Sequence, residues 1–303
     1  GYAALDANTT ASNNVAVGRL SLSTVEIGDD NTAVGTNALI VNTASDNTAV
    51  GSLALDANEG GTRNTAVGKS ALSTVVTGAD NTAVGTNALL LNTASDNTAV
   101  GSLALDANST GTQNTAVGGV ALSANTTGSY NTAVGQSSLD ANESGASNTA
   151  VGRLSLSAVV SGDNNVAVGT NALAASTASD NTAVGAFALD VNTSGANNVA
   201  VGKASLGANE SGDDNTAVGM NALLVNTADN NTAVGSAALD ANTSGTNNVA
   251  VGYNALTANI TGDTNTVVGV EAALTSDVNG NTAIGYRALK TNTVGGHVAI
   301  GYQ

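Results

Sequence analysis

Eighteen near-identical pentapeptides punctuate this chain at almost constant spacing, and that period constrains the fold more than any other feature. NTAVG occurs eleven times, NVAVG four times, and NTVVG, NTAIG and HVAIG once each. Successive motif glycines, from Gly18 to Gly301, lie 17 residues apart eleven times and 16 apart six times. Self-similarity at a short fixed period marks a repeat architecture in which each unit packs on its neighbours. Gly1 fits the same register, so residues 1–303 read as one continuous array.

Counting from each glycine exposes the rules within a unit. Asn stands four residues before it in every copy but the last, where His297 replaces it. Ala stands two before it, Val or Ile one before it, and Leu four after it. Asn recurs seven after it, as at Asn42, Asn58, Asn92 and Asn108, and Gly ten after it, as at Gly61 and Gly78. The rung departing most from the rules has Val267 in place of the Ala, and its Leu arrives one position late, at Leu274. Thr36–Asn58 and Thr86–Asn108 differ at only two positions, an offset of 50 residues that suggests duplication of a three-unit block.

Short Val/Thr/Ala/Leu runs bounded by Gly, Asn, Ser and Asp predict brief strands joined by turns. Repeated Gly and Asn-Thr break any 3.6-residue apolar pattern, so helix is excluded. Two strands are expected per unit, Thr-Ala-Val before the glycine and an Ala-Leu run after it. The fold class is therefore all-β, a parallel β-solenoid of about 18 rungs of 16–17 residues. The expected inward columns are Val34, Leu39, Val50, Leu55, Val67, Leu72, Val84 and Leu89. Gly35, Gly51, Gly68 and Gly85 make the turn. The tenth-position Gly is expected to supply an unusual φ at an outer turn where rung length varies. The 16-residue coils that start at Gly35, Gly85, Gly169 and Gly219 carry Ser45, Ser95, Ser179 and Asp229 there instead.

The Asn column comprises Asn31, Asn47, Asn64 and Asn81, continuing through Asn97, Asn114, Asn131 and Asn148. It reads as an amide ladder, each side chain bonding the next and capping turn backbone. A ligand- or ice-binding role is the alternative for these Asn. The Thr column beside it alternates with Val15, Val166, Val199 and Val249, which marks a β-branched, partly buried position; a regular Thr row also suits ice binding.

Composition closes several function classes. Aromatic residues are 2% of the chain, Pro and Cys are absent, and the formal net charge is −16. A chain with 7 basic and 23 acidic residues offers no cationic footprint for nucleic acid. No apolar run reaches the 18 residues of a membrane span. Acidic residues precede the Asn at Asp30, Asp46, Asp80, Asp96, Asp180 and Asp214, where neighbouring carboxylates such as Asp30 and Asp46 could share Ca²⁺; solvated turn charge is the plainer reading. His297 has no second His or Cys partner, and no Gly-x-Ser-x-Gly elbow is present, so no catalytic site, enzyme activity or cofactor is expected. Tyr2, Tyr253, Tyr286 and Tyr302 each follow a motif glycine but are too scattered for a glycan platform. Sequons such as Asn192-Thr-Ser and Asn242-Thr-Ser fall at the outer turn.

The words NTAVG, NVAVG and NTAIG, followed by x-x-Ala-Leu and an Asn/Gly turn, resemble the head repeats of trimeric autotransporter adhesins, a repeat also found in phage tail-fibre-like proteins. The resemblance spans the whole chain. It implies a left-handed parallel β-roll with three chains around a common axis. Under that arrangement Ala33, Ala49, Ala66 and Ala83 are the small residues that let neighbouring chains approach. The units are longer than the family's usual repeat, and no coiled-coil stalk or membrane anchor accompanies them. The expected function is a structural extracellular or cell-surface fibre, the shaft or head of an appendage. It would self-associate as a homotrimer or end-to-end filament, with any receptor unidentified; an ice-binding or Ca-binding solenoid and a phage tail-fibre shaft are the alternatives. An array that opens at a motif glycine and closes mid-rung at Gln303 is expected to be a segment of a longer one.

Overall fold

The structure, a computed structural model, describes residues 1–24 and 27–303. The chain divides into two compact units, Gly1–Asn148 and Thr149–Gln303. Both are built one way: a β-solenoid of about 17 turns in all, with no helix among the described residues. Each strand is three residues long and spans positions −3 to −1 relative to the motif glycine. In the first unit, β1 (Val15–Val17), β2 (Thr32–Val34), β3 (Thr48–Val50), β4 (Thr65–Val67) and β5 (Thr82–Val84) stack in parallel and in register, with equivalent residues opposite one another. The second unit repeats this; Val166 there pairs with Thr182 and Ala167 with Ala183. The expected length variation does not disturb pairing, because 16- and 17-residue rungs present identical strands.

Hydrogen bonds between rungs alternate direction. The Thr48 N–H donates to Asn64 C=O above it (2.9 Å), and the Gly51 N–H to Val34 C=O below it (2.8 Å). A lone three-residue strand holds little, so stability comes from stacking identical neighbours.

The second expected strand does not form. The Ala-Leu segment after each glycine is a turn of alternating handedness, with Leu53 at φ 60° and Leu55 at φ 52°. Its amides also alternate: Leu53 N–H reaches down to Thr36 C=O and Leu55 N–H up to Ala71 C=O, both at 3.0 Å. Left-handed backbone costs a residue with a Cβ about 1–2 kcal/mol. Full burial of the Leu column, with Leu39, Leu55, Leu72 and Leu89 all at 0% exposure, offsets that by about 2–3 kcal/mol per side chain.

The strand's inward residue is the Ala, not the Val. Ala33, Ala49, Ala66 and Ala83 are fully buried within their own chain. Val50, Val67 and Val84 are 36–37% exposed, and Val34 is half-buried on the same outward side. A strand alternates faces with period two, so burying the Asn and Ala at −4 and −2 turns Thr and Val out. The expected inward Val column is thus corrected, and so is the role of the Ala residues: they form the thin core of one chain rather than a surface offered to another.

Candidate interaction surface

Each rung closes on two asparagines, and their geometry explains most of its sequence. The Asn at −4 is buried, yet its ladder is not chiefly side chain to side chain. Asn64 N–H donates to Asn47 Oδ1 (2.9 Å), Asn81 N–H to Asn64 Oδ1 (3.0 Å) and Asn97 N–H to Asn81 Oδ1 (3.0 Å). Asn31, Asn114, Asn131 and Asn148 continue the series. The freed Nδ2 donates across the core to an outer-turn carbonyl one rung on, as Asn47 to Gly61 O and Asn64 to Gly78 O, both at 2.8 Å. His297 fits this scheme, because its backbone N–H still donates to Asn281 Oδ1 (3.1 Å) while its ring is exposed.

The side-chain ladder proper runs along the Asn at +7. Asn58 Nδ2 donates to Asn42 Oδ1 (2.6 Å), and Asn108 Nδ2 to Asn92 Oδ1 (2.6 Å). Gly61 O accepts from both columns, since Asn58 Nδ2 also reaches it at 2.9 Å. Asn192 and Asn242 belong to this buried column, so their sequons cannot be glycosylated in the folded chain.

The glycines follow from these approaches. Gly35 has φ +142°, and a Cβ there would strike the backbone of Gly51 in the next rung. Gly51, Gly68 and Gly85 stand at the same corner. Gly61 has no such φ; a Cβ there would strike the Gly78 carbonyl oxygen of the next rung and crowd the Asn58 and Asn64 amides. In 16-residue rungs the equivalent carbonyl belongs to Ala44, which accepts from Asn31 and Asn42 Nδ2. The missing residue is therefore lost between the +7 Asn and this carbonyl, and Ser45 is not the counterpart of Gly61.

With the core thus occupied, the outward strand face is a broad surface of uniform chemistry. Thr and Val alternate along each strand and repeat from rung to rung at the ~4.8 Å spacing of paired strands. Thr48, Thr65 and Thr82 are half-buried, as expected of a column in which Val substitutes for Thr. β-Branched side chains are stiff at χ1, which presets such a surface.

Two polar columns border this face. At −5 stand Asp30, Asp46, Asp80, Asp96, Asp180 and Asp214, each with φ between 57° and 63°. Asp and Asn tolerate that left-handed corner better than most residues, which accounts for acid at this position without a ligand. Asp30 accepts from Asn13 Nδ2 (2.9 Å), and Asp80 takes both N–H groups of Arg63 (2.6 and 2.7 Å). Among the described residues no group of three or more His, Cys, Asp or Glu is placed to hold a metal. At +1, on the other border, small polar residues such as Thr36, Ser52, Thr86 and Ser102 are interspersed with larger ones. In the second unit this border includes Tyr253, Tyr286 and Tyr302, and the last two rings stack at 5.1 Å with the Arg287 guanidinium over Tyr286 at 4.8 Å.

A further acidic set escaped the sequence reading. Asp56, Asp106, Asp140, Asp190 and Asp240 occupy +5, half-buried, and burial pushes each carboxyl above its ordinary range against weaker opposition from backbone hydrogen bonds. Asp56 Oδ1 and Asp240 Oδ1 are buried without a partner. The signal was present, since 56 and 106, like 190 and 240, are 50 residues apart, the offset of the three-rung block. Neither a scan of protein-family models nor a search of curated proteins returns a match for this chain.

Proposed function

We propose that this chain is a structural fibre protein, the shaft or head of an extracellular or cell-surface appendage, which self-associates through the Thr/Val strand face. The observation that carries the reading is the rank of outward Val side chains in each unit, more than a third exposed in rung after rung. Long exposed apolar stripes on a soluble chain mark interaction surfaces. A second copy of the same chain presents the same stripe at the same pitch, and so matches it along its length. A homotrimer in the manner of the adhesin heads that the repeats resemble, built as a left-handed roll, is the assembly this reading favours. The function is mechanical: rungs hold one another in register and expose a long acidic surface. No step in it calls for a catalytic group.

Replacing Val67, Val84 and Val100 by Lys tests the reading. The side chains already point outward, so the solenoid should fold with an unchanged circular dichroism spectrum while assembly is lost in sedimentation. A variant that assembles like the parent would contradict the proposed interface. Ala83→Leu should unfold the chain locally by overfilling its own core rather than act between chains.

A further inference from the structure

The borders of the Thr/Val face carry opposite charge in a pattern that selects how two copies face each other. Four of the 7 basic residues, Arg19, Lys69, Arg153 and Lys203, occupy +1. All four are exposed, and among the described residues none has an ion-pair partner in its own chain. In both units the two cations lie 50 or fewer residues apart, as 19 and 69, then 153 and 203. The opposite border, at −5, holds Asp30, Asp46, Asp80 and Asp96 in the first unit and Asp180 and Asp214 in the second, all exposed.

The two sets interleave rather than coincide. The rungs with a +1 cation carry Asn13, Arg63, Ser147 and Asn197 at −5. The rungs with a −5 Asp carry Thr36, Ser52, Thr86, Ser102, Ala186 and Met220 at +1. No rung has both a +1 cation and a −5 carboxylate. A cation is therefore one rung, ~4.8 Å, from the level of a carboxylate: Arg19 from Asp30, Lys69 from Asp46, Lys203 from Asp180 and Asp214; Asp80, on the other side of Lys69, is already held by Arg63 of its own chain. Lys and Arg stems span that distance. Arg153 has only Asn164 and Tyr130 at the neighbouring levels, and lies outside the pattern.

We infer that these borders form an inter-chain charge lock that fixes a parallel arrangement of copies around the Thr/Val face; the inference rests on the self-association proposed above. When identical chains are related by rotation about the stacking axis, the +1 border of each lies beside the −5 border of the next, whatever the number of copies. Cation then meets carboxylate at two places in the first unit and one in the second. A two-fold axis perpendicular to the stacking direction places −5 beside −5 and sets Asp against Asp. Exposed pairs are individually weak, but like charges on the wrong partner add repulsion to the competing arrangement. Attraction supplied by the Thr/Val face is indifferent to direction, so the borders are what distinguish up from down.

The chain has no cysteine, which allows a direct test. Ser52→Cys and Asp46→Cys, placed in separate chains and mixed under mild oxidation, should form mixed disulfide dimers, because those positions share a rung level on opposite borders. In parallel, Arg19→Glu/Lys69→Glu/Lys203→Glu should weaken association roughly tenfold at low salt, with the gap closing as screening increases. Adding Asp30→Lys, Asp46→Lys and Asp214→Lys to that variant should restore it. Disulfides absent from the mixture, or a charge-reversed variant matching the parent in mass at every salt concentration, would overturn the lock while leaving self-association intact. A parent chain that stays monomeric throughout would overturn the self-association reading and the lock together.

Discussion

Two asparagine columns run through the same buried core, and the chain enforces them differently. The column at −4 is unbroken from Asn14 to Asn281, whereas the column at +7 admits Val75, Val159, Ser176 and Ser276. Both are fully buried, so exposure does not explain the contrast. What they hold does. Each −4 amide oxygen accepts the backbone N–H of the next rung, and without it a buried main-chain donor is stranded. The +7 amide bonds another side chain and a turn carbonyl that the −4 column already serves. Where Val75 interrupts that column, Asn58 Oδ1 is left without a partner, as is Asn142 Oδ1 beneath Val159. Above Asn259, Ser276 is too short to reach, and Asn259 Oδ1 and Ser276 Oγ are both unpartnered. A lost side-chain donor is tolerated; a lost partner for the backbone is not.

The contrast can be broken at either column. Asn81→Leu strands the Asn97 N–H and removes the cross-core bond to Ala94 O, and should cost about 3–4 kcal/mol in chemical denaturation. Asn108→Val, which imitates a substitution the chain already contains, should cost about 1–2 kcal/mol. If the two losses are equal, the distinction between backbone and side-chain ladders is wrong.

The same core offers a control in which no amide changes. Val267 and Ala273 are the two exceptions to the Ala and Leu columns, and both are fully buried in one rung. The larger inward residue at −2 accompanies the smaller one at +4, which keeps the core volume of that rung nearly constant. Ala273→Leu should overpack it and Val267→Ala should open a void, each costing about 1–3 kcal/mol; the double substitution should be nearly neutral. Additive losses would show that the two exceptions are unrelated.

Repairing the weaker column is a smaller effect of opposite sign. Val75→Asn puts an amide in a fully buried site, normally a destabilising change. Here it supplies a donor for Asn58 Oδ1 and an onward acceptor, and should raise stability by up to about 1 kcal/mol.

Acid should strengthen the fold while leaving both amide columns unaltered. The +5 carboxyls of Asp56, Asp106, Asp190 and Asp240 are raised by burial, so the folded chain holds their protons more tightly than the unfolded chain does. Their effect is most favourable below the ordinary aspartate range and is lost as pH climbs through the raised values. Asp277, Asp80 and Glu271 oppose this: burial disfavours the Asp277 charge, but N–H donors from Ile260, Thr261 and Gly262 outweigh burial and lower its carboxyl, and hydrogen bonds from Arg63 and Arg287 lower those of Asp80 and Glu271 in surface pairs that solvent screens. The melting temperature should therefore rise from neutral pH toward mild acid, and the rise should shrink in the Asp56→Asn/Asp240→Asn variant. An unchanged rise would remove the +5 column as its source.

The period, parallel stacking and registry of this fold were legible in the residues, because identical words at fixed spacing can only stack. The buried Leu and −4 Asn columns were legible too. The facing of the strand was not: Val outranks Ala in every hydrophobic ordering, and only the Asn at −4, two residues before the Ala and itself buried for its hydrogen bonds, fixes which way Ala points. The turn after the glycine was missed because Leu55 adopts a conformation that its type disfavours, held there by neighbouring rungs. The interleaved charges at Lys69 and Asp46 were in the sequence throughout, yet acquired meaning only once both were seen to border one face.

An electron cryomicroscopy map of the assembled fibre tests the central claim most directly. The account predicts Ala83 enclosed by its own chain and Val84 packed against another copy, with the +1 border of one chain beside the −5 border of the next. Val84 facing solvent in the assembled fibre, or Ala83 lying between chains, would contradict it.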